Sequence, residues 1–484
     1  MKVLMFGWEF PPHISGGLGT ACYGLTKSLS GLEDIEILFV VPKLYGDEDN
    51  KAADLVGAGD INAERFSDSN VSAYKAVETK EYLYKSSTQT FTEKRQEEDF
   101  KTVNFLEVKS KIRPYMSPEQ YAKFIREKRA EGKEIQTDKE GNIYFLKEGT
   151  RLSIEEENRI ENTLLSEDGT FKFSGKYGPN LMNEVDNYAK VASLIAEQYD
   201  FDIIHAHDWL TYAAGVAAKK VSGKPLVVHV HATEFDRSGE DNINTQVFAI
   251  EKYGMENADK IITVSSLTGD IVVNKYGVDS AKTVTVHNAV EPQEGEDKSF
   301  KKNVDEKIVT FLGRITYQKG PEYFLRAAKL VLDKLDNVRF VMAGNGDLLR
   351  KMIRYAAELK ITDKFHFTDF LRGEEVTRMY AISDVYVMPS ISEPFGISPL
   401  EAMRSNVPVI ISKQSGVSEV LKNAIKVNYW DEHATADAIY GLIKYKGMAD
   451  MLKRSSKPEV ERIRWTTPAK KVKKIYTEIL QNSN

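Results

Sequence analysis

Two cations and two carboxylates stand at spacings that suit a pyrophosphate and a ligand rich in hydroxyl groups. Arg314 and Lys319 lie in Gly313-Arg-Ile-Thr-Tyr-Gln-Lys-Gly320, bracketed by glycines. On one strand-end loop, a guanidinium fork and an ammonium point charge together neutralise a diphosphate. Glu393 and Glu401 lie in Val385–Glu401, where a short apolar run gives way to Pro389, Pro394 and Gly396. An ionised carboxylate accepts several hydrogen bonds, as sugar hydroxyls require. Gly16, Gly17 and Gly19 precede a predicted helix, so backbone amides can approach an anion at its positive end. The pattern is not Walker A, since no Gly-Lys-Ser/Thr is present, and Cys22 takes the last position of a G-x-G-x-x-G. Each feature also has a plainer reading: solvated loop charges, a Glu favoured by a helix dipole, glycines for a tight turn.

His205 and His207 share one strand face, as do His229 and His231. Such pairs on neighbouring strands could ligate zinc with Asp208 or Glu234, as in a metal hydrolase. Alternatively two of the four fill core positions, and His231, nearest its strand's carboxyl end, lines a cleft. Asp208 reads equally as an N-cap. Trp209 offers a flat apolar face on which a sugar ring can stack, whereas Trp465 reads as a packing anchor.

The elements that must position these groups alternate. Strands are predicted at Lys2–Phe6, Ile35–Val41, Asp202–His207, Pro225–His231, Lys260–Val264 and Thr283–His287, with helices between them. The alternation restarts at Lys307–Leu312 and continues through Val338–Ala343, Phe365–Phe370, Asp384–Met388 and Val407–Ser412. Late helices are predicted over 434–454 and 468–480. This is the pattern of parallel βαβ units in two doubly wound domains facing across a cleft, with ligands at the carboxyl ends of the strands. The N-terminal domain is assigned to 1–296, with a charge-rich insertion at about 43–177. Within that insertion Val103–Val108, Glu119–Ala130 and Ile143–Leu146 read as short ordered pieces. The C-terminal domain is assigned to 297–466, and a final helix in 467–484 is expected to cross back to the N-terminal domain.

Composition narrows the class. The chain has 484 residues, 42% hydrophobic and 29% charged, the proportions of an ordinary globular protein. A net charge of −6 gives no basic footprint for nucleic acid. The single cysteine, Cys22, excludes an intrachain disulfide and fits a reducing, cytoplasmic setting. No apolar run is long enough for a membrane span, and no signal segment is expected.

His-Ala-His207-Asp208-Trp209, Gly-Arg314-Ile-Thr-Tyr-Gln-Lys319-Gly and Glu393-Pro-Phe-Gly-Ile-Ser-Pro-Leu-Glu401 together resemble the retaining GT-B glycosyltransferases, most of all the glycogen/starch synthases. The resemblance covers 1–42 and about 178–484. It implies a GT-B fold of two Rossmann-like domains and transfer of glucose from ADP-glucose or UDP-glucose to the non-reducing end of an α-1,4-glucan. It implies amides of Gly16 and Gly17 at the donor diphosphate, Arg314 and Lys319 holding that diphosphate, and Glu393 on donor-sugar hydroxyls. Glu401 would hold the ribose, Gly346 would lie near the nucleotide, His231 at the transferred sugar, and Asp208 and Trp209 nearer the acceptor. No cofactor and no metal are expected, because Arg and Lys carry the charge. Starch synthases carry Lys-Thr-Gly-Gly-Leu where this chain has Ile14-Ser15-Gly16-Gly17-Leu18. A sucrose- or trehalose-forming transferase is the nearest alternative, the zinc hydrolase one of another class, and a catalytically silent sugar-binding protein a third.

Overall fold

The computed structural model describes residues 1–13, 16–48, 52–63, 169–178, 180–239, 242–291, 300, 302 and 304–482, and the backbone of 135–137, 143–147 and 150–153. Two parallel sheets, each sandwiched by helices, carry it. In the first, β1 (Lys2–Phe6), β2 (Glu36–Val41) and β3 (Asp54–Gly57) are joined by β7 (Ile203–His207), β8 (Leu226–Val230), β9 (Lys260–Thr263) and β10 (Thr283–Thr285). The order is β10-β9-β8-β7-β1-β2-β3. A separate antiparallel sheet, β4 (Ile135–Thr137), β5 (Ile143–Lys147) and β6 (Thr150–Ser153), comes from the insertion. The second large sheet holds β11 (Lys307–Leu312), β12 (Val338–Ala343), β13 (Phe365–Thr368), β14 (Val385–Met388), β15 (Val409–Ser412) and β16 (Ile425–Val427). Its order, β13-β12-β11-β14-β15-β16, puts β11 beside β14, so the two loops with the charged residues leave adjacent strands.

The strands form where the sequence is continuously apolar, as buried parallel strands are. β7, β8 and β14 are buried at every position. Four helices serve the site from the first domain. α1 (Gly17–Ser30) follows β1, α2 (Leu181–Gln198) precedes β7, α3 (Trp209–Ser222) follows β7, and α4 (Glu234–Ser238) follows β8. α5 (Thr245–Asn257) and α6 (Ser266–Tyr276) complete that layer. The second domain adds α7 (Pro321–Leu332), α8 (Leu349–Glu358), α9 (Glu374–Ile382), α10 (Ser398–Arg404), α11 (Val417–Val420), α12 (Glu432–Lys444), α13 (Lys446–Val460) and α14 (Thr466–Asn482). No helix among the described residues is long and apolar enough to cross a membrane.

Three details differ from the sequence reading. The stretch read as the start of an insertion contains β3, which pairs in parallel with β2 over Leu38–Asp54 to Val41–Gly57. It escaped notice because Leu55 and Val56 are only half-buried, too short an apolar signal for an edge strand. The segment read as one helix over 434–454 is two, α12 and α13, parted where Tyr445 turns extended (φ −108°, ψ 91°). Val103–Val108 and Glu119–Ala130 lie outside the described residues.

α14 packs on the first domain, where Ala469, Val472, Ile475 and Tyr476 share a core with Ala21, Cys22, Leu25 and Leu29 of α1. Trp465 closes the joint: a Cβ on Gly24 would stand 2.3 Å from its Nε1. Gly24→Ala therefore wedges α1 away from α14 and costs about 1–3 kcal/mol, read as a lower thermal midpoint. An unchanged midpoint would show that this joint contributes nothing to stability.

Candidate active site

Glycines bring the charged loops of the second domain together. Gly344 (φ +141°) lies so close to the β11 loop that a Cβ would stand 1.9 Å from the Gly313 carbonyl oxygen. At Gly346 a Cβ would meet the Ile315 carbonyl oxygen at 2.3 Å. Gly320 (φ +62°) presses the Lys319 turn against the end of β14, 2.3 Å from the Pro389 carbonyl oxygen by the same measure. No residue with a side chain fits these contacts.

The turn delivers Lys319 to Glu393. Its Nζ donates to Glu393 Oε2 at 2.5 Å, and Ser390 Oγ donates to the same oxygen at 3.1 Å. The Glu393 side chain is 8% exposed and that of Lys319 21%, so water screens this pair only partly. The Glu393 backbone is fixed too, donating to Gln414 O at 3.0 Å while its carbonyl accepts from Gly416 at 2.9 Å. Arg314, on the same loop as Lys319, is exposed. Burial raises the carboxyls of Asp347 in its own domain and Asp208 in the other, and the Arg314 charge pulls against both. Glu401 begins the other side of the site: Tyr380 Oη donates to its Oε2 at 3.4 Å, and burial raises its carboxyl above the usual range. Burial raises the Tyr386 phenol, and the charges of Glu393 and Glu401 add to the effect.

The facing wall is built at the ends of β7 and β8. His205, His207 and His229 are buried, and His231, past the end of β8, is half-buried. Burial pushes His205 and His231 down to about 3, and His207 and His229 fall well below their ordinary value for the same reason. All four are therefore neutral at physiological pH. His231 Nε2 meets His207 Nδ1 at 3.0 Å and lies 3.9 Å from Cys22 Sγ on α1. Burial also raises the Cys22 thiol, with Asp208 and Glu9 adding to the effect, so it stays protonated.

Asp208 makes the turn from β7 into α3 with a left-handed φ of +64°, strained for a residue with a Cβ. Its side chain does not cap α3, and its buried Oδ1 has no hydrogen-bond partner. Burial raises its carboxyl to about 6 against the pull of Arg237 and Arg314. Trp209 requires a correction. The first residue of α3 points into the core, 0% exposed, and offers no face to a sugar.

Gly16 and Gly17 are exposed, and a Cβ on either would meet nothing within 4 Å. The N-cap of α1 is Gly16, which has no side chain to cap the helix, and no acidic residue sits in its first turn, so among the described residues its first amides can face an anion.

The stacked imidazoles of His205, His207 and His229 do not suit one shared metal ion. Nitrogens of His205, His207 and His229 lie within 4.8 Å of one another, as do the ligand atoms of Cys22, His207 and His231. Yet His205 stacks on His207 at 4.2 Å and 22°, and His229 on His231 at 4.4 Å and 21°. An ion lies in the plane of each ring that binds it, and near-parallel stacked planes share no such point. In the second group His207 Nδ1 and His231 Nε2 hydrogen-bond to each other at 3.0 Å, and His207 Nε2 has no partner among the described residues.

The sequence reading assigned no role to Arg237, Asp236 or Ser392. Arg237 Nε donates to Glu234 Oε2 at 3.1 Å, and its Nη2 pairs with Glu251. Ser392 Oγ donates to Asp236 Oδ1 at 2.5 Å across the cleft. The one available signal was charge density: Glu234, Asp236 and Arg237 crowd directly behind a buried strand.

Comparison with known proteins bears on the family and the fold. The family model described as "Glycosyl transferases group 1" matches residues 292–457, and that for "Glycosyltransferase Family 4" matches 169–294. An uncharacterised glycosyltransferase of Methanocaldococcus jannaschii is 31% identical over 293 residues, 57% of this chain and 75% of that protein. The glycogen synthase of Mycobacterium tuberculosis (strain H37Rv) is 26% identical over 225 residues, 46% of this chain and 54% of that one. Among solved structures, sucrose-phosphate synthase from Thermosynechococcus elongatus superposes with a TM-score of 0.63 at 15% identity, covering 99% of each chain. A mutant of TarM from S. aureus, in complex with UDP among other ligands, gives 0.62 at 16% identity, over 98% of this chain and 99% of that one.

Proposed function

Because the chain belongs to the glycosyltransferases and folds as GT-B, we propose that it transfers glucose from ADP-glucose or UDP-glucose to the non-reducing end of an α-1,4-glucan, retaining the anomeric configuration. The observation that carries this reading is the Lys319–Glu393 pair at 2.5 Å, on loops of adjacent strands. A cation and a carboxylate so placed suit the two halves of a sugar diphosphate.

When the donor enters, its diphosphate takes the Lys319 ammonium and the Arg314 guanidinium, and the sugar hydroxyls take the Glu393 carboxylate. The amides of Gly16 and Gly17 close on the diphosphate from the other domain. Glu401 holds the ribose, and the turn at Gly346 lies against the nucleotide. As the glycosyl bond breaks, negative charge grows on the diphosphate, and fixed cations and amides lower the barrier. Neutral His231 hydrogen-bonds the transferred sugar, and Asp208 holds the acceptor. The acceptor hydroxyl attacks from the face the diphosphate leaves and gives its proton to that phosphate. No metal or other cofactor is required, and we place the reaction in the cytoplasm.

A second reading, a sucrose- or trehalose-type product, is favoured by Ile14-Ser15 in place of the Lys-Thr of starch synthases. D-inositol 3-phosphate glycosyltransferase of Mycolicibacterium smegmatis, 27% identical over 254 residues, stands among the relatives. A donor panel of ADP-, UDP- and GDP-sugars decides, with glycogen, short maltooligosaccharides and phosphorylated sugars as acceptors. Labelled glucose entering glucan from ADP- or UDP-glucose, without added metal, supports the first reading. Incorporation into a small sugar alone sinks the polymer assignment, and no transfer from any donor sinks both.

Asp208 adds a pH dependence. With its carboxyl near 6, it is protonated below that pH and ionised above. If the ionised form grips the acceptor hydroxyl, kcat/KM for acceptor rises with pH through about 6 and then levels. Asp208→Asn removes that limb and lowers the plateau about tenfold. A limb that persists unchanged in the variant assigns it to another group.

A further inference from the structure

One carboxylate is bonded to both walls of the cleft. Asp236, 1% exposed, uses Oδ2 to accept from Thr233 N at 2.8 Å and Thr233 Oγ1 at 2.7 Å. With Asp236 N donating to Thr233 Oγ1 at 3.4 Å, the first of these completes the capping box of α4, and Oδ1 is left over. Ser392 of the other domain donates to that spare oxygen. Thr233 follows His231 by two residues, and Ser392 immediately precedes Glu393. The carboxylate thus ties the end of the His231 strand to the loop that presents Glu393.

α4 reaches the loop of Arg314 and Lys319 as well. A Cβ on Gly239, its C-cap, would stand 3.4 Å from the ring of Tyr317, two residues before Lys319. From behind, Arg237 anchors the helix to Glu251 on α5. The domains have a separate joint. Glu419 accepts from Ser266 N and Leu267 N at 2.9 Å each and meets His287 Nε2 at 2.7 Å. The domains are held together there, so the Asp236–Ser392 bond is not needed for that.

We infer that Asp236 and Ser392 are positioning residues: a latch that forms as the cleft closes and fixes His231 and Glu393 on either side of the transferred sugar. The inference rests on the glycosyl-transfer reading above and adds to it the contact that holds the closed state. With the cleft open, Ser392 returns to water and Asp236 keeps its two bonds to Thr233. Closure exchanges a solvated hydroxyl for a charge-assisted bond in a site that excludes water.

The test uses the full chain with Ser392→Ala, Ser392→Thr, Asp236→Ala and the Ser392→Ala/Asp236→Ala double variant. Ser392→Ala is expected to lower kcat about 10- to 100-fold, the worth of a hydrogen bond to a charged group. Donor KM moves much less, and more donor is lost to water. Ser392→Thr, which keeps the hydroxyl, restores most of the rate. In the Asp236→Ala background the serine change becomes nearly silent. Small-angle X-ray scattering supplies a readout without turnover: UDP or ADP compacts the parent and compacts Ser392→Ala less. Parent-like rate and compaction in Ser392→Ala overturns the latch. So does an undiminished loss in the Asp236→Ala background, which would make Ser392 a substrate contact. Should Asp236→Ala fail to fold, the serine variants and the scattering decide alone. If the parent transfers from no donor, the enzymatic reading fails, and scattering still decides the latch.

Discussion

Lys319→Ala lowers kcat for glycosyl transfer about 100- to 1,000-fold, with a smaller effect on donor KM. On the proposed mechanism the ammonium interacts with the diphosphate most strongly once the glycosyl bond is breaking, so its loss weighs on the transition state more than on binding. Lys319→Arg keeps the charge but spreads it over a planar fork on a longer stem, and recovers only part of the rate. A structural complication follows from Glu393, whose side chain is 8% exposed. Without Lys319 its carboxylate keeps the Ser390 hydroxyl but no cation, so the fold loses stability too. Lys319→Ala/Glu393→Gln separates the effects: calorimetry shows the midpoint recovering while initial rates with labelled donor stay low. A single variant within about threefold of the parent rate contradicts the assigned role.

The largest loss of stability is expected from Arg237→Met. Glu234 and Glu251 have side chains 7% and 1% exposed, and the Arg237 guanidinium, itself 11% exposed, is their cation. Removing one partner of a buried ionic cluster costs about 3–5 kcal/mol, because charge is left without compensation. Burial already pushes the Glu251 carboxyl up to about 8 against the pull of Arg237. Without Arg237 the Glu251 carboxyl rises further and takes up a proton, which limits the damage. The sign follows. Arg237 stabilises the ionised carboxylates, so the deficit of Arg237→Met against the parent is largest at alkaline pH and shrinks as pH falls. Urea unfolding of both proteins at about pH 5 and about pH 8.5 reads this directly, and a deficit equal at the two values contradicts it. Arg237→Met/Glu251→Gln recovers part of the loss, since the remaining charge is smaller.

The parts of this architecture legible in the sequence are those encoded locally. A buried parallel strand announces itself by continuous apolar residues, as at Val385–Met388, and a strand-end loop by its glycines, as at Gly313 and Gly320. That is why the loops bearing Arg314, Lys319 and Glu393 were legible before any coordinates. β3 was not, because its two apolar residues are half covered at a sheet edge. Trp209 misled for a related reason: its type suggests a stacking platform, but whether α3 turns that ring outward or inward is decided by packing. The Ser392–Asp236 bond joins residues 156 apart, and no periodicity on either side signals it. Contacts between domains are set by how two folded surfaces meet, which a local reading does not contain.

On the proposed mechanism one nucleotide sugar is gripped from both sides of the cleft. A crystal structure of the full chain with UDP-glucose or ADP-glucose tests it most directly. The expected result has the diphosphate within hydrogen-bond reach, about 3 Å, of Lys319 Nζ and the Arg314 guanidinium. Gly16 and Gly17 face it from the other wall, and Glu393 has turned from Lys319 to the sugar hydroxyls. A nucleotide bound elsewhere, with Lys319 still paired to Glu393, contradicts the account.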